Sequence, residues 1–151
     1  MTREWFREPY FISTAPERLD LAVIHAFLTD SYWATGRSRE RVETSLAHSL
    51  PLGLYRRRAD QRPAVEQVGF ARVVSDRATF AYLADVFVLE AQRGRGLGVW
   101  LVETALGLPE LSGARWLLGT RDAHELYRKF GFQETPPGRM MRREGVDPLL
   151  P

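Results

Sequence analysis

The 151-residue chain contains no cysteine and only one lysine, Lys129. Without Cys there is no disulfide, no thiolate metal site and no Cys nucleophile. No apolar run approaches the roughly 20 residues that cross a bilayer. The first residues show no basic stretch followed by an apolar one, the pattern of a signal peptide, so a cytoplasmic setting without a membrane partner is expected. No repeat, low-complexity stretch or linker divides the chain, and one domain over 1–151 is expected. Charge of one sign is also scarce. Twenty Arg and Lys129 face 19 acids, leaving +2, so the pI of about 9.3 reports a small imbalance. A nucleic-acid surface carries a stronger excess and interleaves aromatics with it. The densest cluster, Arg56-Arg57-Arg58, has only Tyr55 beside it and reads as a solvated strand edge. No nucleic-acid partner is therefore expected. His25, His48 and His124 lie on separate predicted helices without ligand spacing, so no metal site is expected.

What is present is a chain with 44% apolar residues, ample for one core. Tyr10–Ile12 reads as a short strand. Thr14-Ala15-Pro16-Glu17 reads as a capping box with Pro in the first turn, ahead of a buried helix over Leu19–Leu28. Ser38 is placed to cap a second helix carrying Val42, Ser45 and Leu46, which Pro51 would end. Leu52–Arg58, Gln67–Ser75 and Thr79–Leu89 are strand candidates joined by short turns, hence antiparallel neighbours. A helix over Leu97–Leu106 follows, then a strand at Trp116–Leu118 and a helix over Ala123–Phe130. Phe132–Thr135 and Arg139–Arg142 are candidate edge strands around a Pro136-Pro137-Gly138 turn. The expected order is β-α-α-β-β-β-α-β-α-β, an α/β chain whose antiparallel meander runs into one right-handed parallel crossover. The terminal strand is also a candidate edge for a homodimer.

The most specific signal is Gln92-Arg93-Gly94-Arg95-Gly96-Leu97-Gly98, between a predicted strand and a predicted helix. Glycines let the backbone turn tightly and approach a ligand closely. The first amides of the helix lack internal partners and, with the helix dipole, favour a pyrophosphate. Arg93 and Arg95 could add charge-assisted bonds to it. The Gly-Lys-Ser/Thr of a Walker loop is absent, and G-x-G-x-G spacing does not meet the dinucleotide fingerprint. Arg-x-x-Gly-x-Gly, read from Arg93 to Gly98, instead resembles the acetyl-coenzyme A pyrophosphate loop of the GNAT N-acetyltransferase superfamily. Asp85-Val86-Phe87-Val88-Leu89-Glu90 is similar to that family's central strand. Leu126-Tyr127-Arg128-Lys129-Phe130-Gly131-Phe132 is similar to its second signature. The resemblance is strong over 69–132 and weak over the first 50 residues.

The resemblance implies a GNAT-like fold, with a central mixed sheet flanked by helices. It implies an N-acetyltransferase that carries acetyl from acetyl-CoA to an amine of a small molecule or protein. It implies coenzyme contacts at Phe87, Val88, Arg93, Gly94, Arg95, Gly96, Leu97, Gly98, Val99, Thr120 and Phe130. Thr120 stands where many relatives carry an Asn that contacts the pantetheine arm, and Thr retains one donor. A backbone amide near Phe87 or Val88 would meet the developing oxyanion. Tyr127 would protonate the leaving thiolate, its phenol being close enough in pKa to a thiol; the alternative is a core aromatic beside Leu126 and Phe130. Asp85, alone in an apolar run from Phe80 to Leu89 that reads as covered on both faces, is either a general base or a structural acid bound to amides or an Arg. Tyr32, Trp33 and Arg37, with Tyr82, are candidates for the acceptor site, Arg37 for an acidic group; the alternative for the aromatics is sealing the core. A catalytically silent coenzyme-binding sensor is the rival function.

Overall fold

The structure is a computed structural model, and it describes residues 1–145. It divides into two compact units, 1–119 and 120–151.

The first unit holds six strands in one sheet, in sequence order: β1 (Glu4–Arg7), β2 (Tyr10–Ser13), β3 (Leu50–Arg57), β4 (Val65–Ser75), β5 (Phe80–Val88) and β6 (Arg115–Leu117). Neighbours from β1 to β5 are antiparallel, and β5 and β6 are parallel. The helices are α1 (Leu21–Asp30), α2 (Arg39–Ala47) and α3 (Leu97–Leu106). The mixed sheet and its parallel crossover through α3 are as the sequence predicts, with β1 added ahead of the expected order.

Local chemistry moves several boundaries. The first helix does not begin at Thr14, because its hydroxyl accepts the Arg3 amide of the β1–β2 hairpin at 2.9 Å. Pro16–Arg18 makes a single 3-10 turn, and Asp20 caps α1, its carboxylate accepting the Val23 N–H at 3.1 Å. The Asp20 N–H in turn donates to the buried Gln67 side chain at 2.7 Å, tying the start of α1 to β4. Ser38 caps α2 as expected, accepting from the Arg41 N–H. Pro51 does not stop a helix; it sits inside β3 beyond the last β2–β3 pair, Ser13–Gly53, where one neighbour is missing and a lost N–H is tolerated.

The core forms on both sheet faces. On one, Ile24 and Leu28 of α1 and Val42 of α2 cluster with Phe70 and Phe87, and the Phe27 ring stacks on Phe87 at 4.0 Å. On the other, α3 packs across β3, β4 and β5 through its buried Leu101, Val102 and Ala105. The first face is covered only in part: Val74 and its cross-strand partner Tyr82 are exposed. The Phe80–Leu89 run is therefore not buried on both sides, contrary to the sequence reading.

In the second unit, α4 (His124–Arg128) is shorter than expected. Gly131, at φ 86°, donates its N–H to Arg128 O while Phe132 donates to Tyr127 O, a Schellman ending that stops the helix. Neither Phe132–Thr135 nor Arg139–Arg142 is a strand. Exposed along most of their length, these segments have no ladder to join.

Candidate active site

The turn after β5 is built so that its backbone faces outward. Leu89 donates its N–H inward to Val68 O at 2.8 Å, and Glu90–Gln92 forms a 3-10 turn. Gln92 is buried, its Oε1 accepting the Tyr10 hydroxyl at 2.6 Å, so a β2 side chain anchors the root of the loop. Gly94 and Gly96 adopt φ of 79° and 74°, which β-carbon-bearing residues resist. A Cβ at either would meet no atom within 4 Å. Gly96 leads directly into α3, and no side chain caps that helix. The N–H groups of Leu97, Gly98 and Val99 thus begin α3 beside open space, where an anion would satisfy them. Arg95 is exposed beside them. Arg93 is exposed too, and its Nε–H donates to Val88 O at 3.0 Å, bracing the loop against the strand it leaves.

The β5 backbone next to this turn is open along one edge, because β6 pairs only with Phe80–Tyr82. Residues of an antiparallel strand point their N–H and C=O alternately to either side. Leu89 points inward to β4, so Val88 points to the open edge, where Arg93 already meets its carbonyl. Of Phe87 and Val88, Val88 therefore presents its amide at that edge, while the Phe87 side chain belongs to the core.

Asp85 lies three residues earlier, in a bulge. Arg72 pairs with Ala84 and Phe70 with Phe87, so Asp85 and Val86 together oppose Ala71. Asp85 takes φ 53°, a left-handed conformation that Asp tolerates better than most residues. Its side chain is 2% exposed and accepts from Arg72 Nε at 2.7 Å, from Arg37 Nη1 at 3.1 Å and from Trp33 Nε1 at 3.0 Å. Arg37 and Trp33 come from the α1–α2 connection, so the sequence-nominated Trp33, Arg37 and Asp85 do meet. The acidic group that Arg37 holds is Asp85. Arg72 escaped the sequence reading, although it is a cation interrupting the apolar run Val68–Val74 just as Asp85 interrupts its neighbour. Tyr10 and Gln92 escaped it as well, and no local signal marks that pair.

Tyr32 is exposed and packs edge-on against Trp33 at 5.1 Å. Tyr82 pairs with Val74, two residues along β5 from Ala84, on the sheet face that carries Arg72. Thr120, Tyr127 and Phe130 belong to the second unit. The Thr120 hydroxyl accepts the Ala123 N–H at 3.0 Å ahead of α4. Tyr127 is half-buried, its ring edge-on to Phe132 at 5.9 Å, and no residue of α4 is fully buried. Phe130 is half-buried.

Comparison with known proteins places this geometry. Residues 59–134 match the family model described as an acetyltransferase (GNAT) domain. A candidate acetyltransferase of the fungus Gibberella zeae is 33% identical over 144 residues, covering 84% of this chain and 80% of the relative. A crystal structure from Xanthomonas campestris, described as a candidate acetyltransferase of the GNAT family, is 41% identical with a TM-score of 0.80. That match covers 90% of this chain and 93% of the other. A GNAT family acetyltransferase from Elizabethkingia anophelis, solved with acetyl-CoA bound, shares the fold at a TM-score of 0.61 and 15% identity, over 86% of this chain and 80% of that one. No described helix is long and apolar enough to cross a membrane.

Proposed function

The chain belongs to the GNAT acetyltransferase family, and from that premise we propose that it is an acetyl-CoA-dependent N-acetyltransferase acting on a primary amine. One observation carries the reading. A turn with two left-handed glycines delivers the uncapped amides of α3 beside the open edge of β5, where the Val88 N–H is free of a strand partner. A pyrophosphate fits the first feature and an extended amide-bearing arm fits the second.

Acetyl-CoA, when bound, supplies an acetyl group activated as a thioester. The amides of Leu97, Gly98 and Val99 bind the diphosphate, with Arg95 adding charge-assisted bonds. Arg93 adds its remaining N–H groups while its Nε holds the Val88 carbonyl. The Val88 N–H donates to the acetyl carbonyl oxygen as charge grows on it, a fixed donor that needs no reorganisation. The acceptor nitrogen forms the new N–C bond as the C–S bond breaks. The amine gives its proton to water, and the family resemblance assigns protonation of the departing sulfur to the Tyr127 hydroxyl. Asp85 is not the base in this scheme. Its oxygens already accept from two guanidinium groups and an indole, so it holds Arg37 and Arg72 in place.

The test is a thiol-release assay with acetyl-CoA and a panel of amines, with mass spectrometry of the products. Thiol release matched by N-acetylated amine is expected. Tight acetyl-CoA binding without release on any amine would replace this reading with a coenzyme-binding sensor. Binding is followed by thermal unfolding, because ligand at a hundred times Kd stabilises by about 2.7 kcal/mol.

A further inference from the structure

The cluster around Asp85 carries more positive charge than its own geometry uses. Arg37 and Arg72 share one carboxylate, leaving a net charge of +1 in a half-enclosed place where their side chains are only 25% and 14% exposed. Arg72 bonds Asp85 through Nε and Arg37 through Nη1, so each guanidinium retains further N–H groups. Among the described residues neither has a second acidic partner. A buried Asp needs only one such partner, and a second arginine adds desolvation cost unless an anion comes to it. The neighbouring surface is aromatic. Trp33, 39% exposed, anchors its indole N–H on the same carboxylate, and Tyr82, 38% exposed, follows on the Arg72 face of the sheet. The strained φ of Asp85 lies at the centre of this arrangement, and such strain concentrates where a site is built.

We propose that the acceptor is a small aminocarboxylate, its carboxylate held by Arg37 and Arg72 and its apolar part laid against Trp33 and Tyr82. The proposal rests on the acetyl-transfer reading above and names the class of acceptor that this reading leaves open. Asp85 and Val88 are three residues apart on one strand but, through the bulge, only two register positions apart, about 7 Å at the usual rise, so one small molecule reaches both the arginines and the acetyl carbonyl. Arg37 and Arg72 are then specificity residues, and Asp85 is the positioning residue between them.

The experiment compares kcat/KM for α-, β- and γ-amino acids bearing apolar or aromatic groups with kcat/KM for the carboxamide of each. Alongside it, calorimetry measures binding of the N-acetylated acid and N-acetylated carboxamide to the protein with coenzyme A. A preference of about tenfold or more for the carboxylate is expected, the loss that follows from removing a charge-assisted hydrogen bond. In Arg37→Gln the preference falls towards one, and Arg37→Lys restores part of it. Each ratio is taken within one protein, so a loss of folded material does not move it, and Arg72 still pairs with Asp85 in both variants. Equal use and equal binding of acid and carboxamide overturn the proposal while leaving acetyl transfer standing, as does a preference that survives Arg37→Gln. Absence of thiol release with every amine defeats the acetyl-transfer reading instead, and the calorimetric ratio still decides the carboxylate site.

Discussion

Replacing Asp85 by asparagine takes one negative charge from between two arginines and leaves the side-chain shape almost unchanged. The backbone is not the issue, because Asn tolerates the left-handed φ of 53° about as well as Asp. The cost is electrostatic. Removing one partner of a buried ion pair costs about 3–5 kcal/mol. Here water reaches both guanidinium groups, which are 14% and 25% exposed, and the Asn carbonyl still accepts one bond. A loss of about 2–3 kcal/mol follows, at and below the lower end of that range. For a chain of this size each kcal/mol lowers Tm by about 2–4 °C, so a fall of about 4–12 °C is expected. Circular dichroism melts and urea titrations measure it directly. The acidic limb of the kcat/KM profile should persist in Asp85→Asn, because a carboxylate that positions arginines is not the group that takes the proton. A melt within a degree or two of wild type, together with loss of that limb, would refute the reasoning and make Asp85 the general base.

Tyr127→Phe removes the proposed proton donor to sulfur and should lower kcat by about a hundredfold or more, with acetyl-CoA affinity nearly unchanged; an unaltered turnover number takes Tyr127 out of the mechanism. Tyr10→Phe leaves the buried Gln92 Oε1 without its donor, costing about 1–3 kcal/mol, and should also weaken protection by acetyl-CoA because that bond roots the glycine turn. Asp76, at the β4–β5 turn, is held well below the usual carboxylate range first by the Thr79 hydroxyl, then by the amides of Ala78, Thr79 and Phe80. A depressed folded-state pKa stabilises fully above the ordinary carboxylate range, and that stability is lost as pH falls through and below it. Asp76→Asn should therefore flatten part of the decline in Tm on acidification; an acid melt identical to wild type would dismiss this turn as a contributor.

The sequence is most legible where one residue type has one physical use. The bounds of α3 are read correctly, because an apolar face follows a glycine turn and Gly107 closes it. The Ser38 cap is equally plain. Thr14 misleads because its hydroxyl is spent on a β-hairpin amide that no local pattern reveals. Pro51 misleads because only the sheet register shows that β3 lacks a neighbour there. The last two strand candidates flank a Pro-Pro-Gly turn, but the segments themselves are mostly exposed and form no ladder. The glycine turn was readable down to its residues. The partners of Asp85 were not, since an ion pair across 48 residues of sequence and another across 13 depend on register.

That register turns on the single extra residue in β5. Along β4, Phe70, Arg72 and Val74 share one face, and they pair with Phe87, Ala84 and Tyr82. Without the bulge, Ala84 and Phe87, an odd number apart, would point to opposite faces. Phe87 could then not stack under Phe27 while Ala84 lay beside Arg72. The extra residue reconciles the two and leaves Asp85 at the switch, in reach of Arg72, Arg37 and Trp33 together. Beyond it, Leu89 points inward on Val68 and Val88 outward. The bulge therefore sets the arginine pair for the acceptor beside the outward amide for the acetyl carbonyl. Deleting Val86 removes the extra residue and leaves Ala84 and Phe87 two apart on one face, so Val88 keeps its outward amide while Asp85 turns with Ala71 away from Arg72. Carboxylate binding should fall with coenzyme protection retained on the same protein, and a joint loss would refute this role of the bulge.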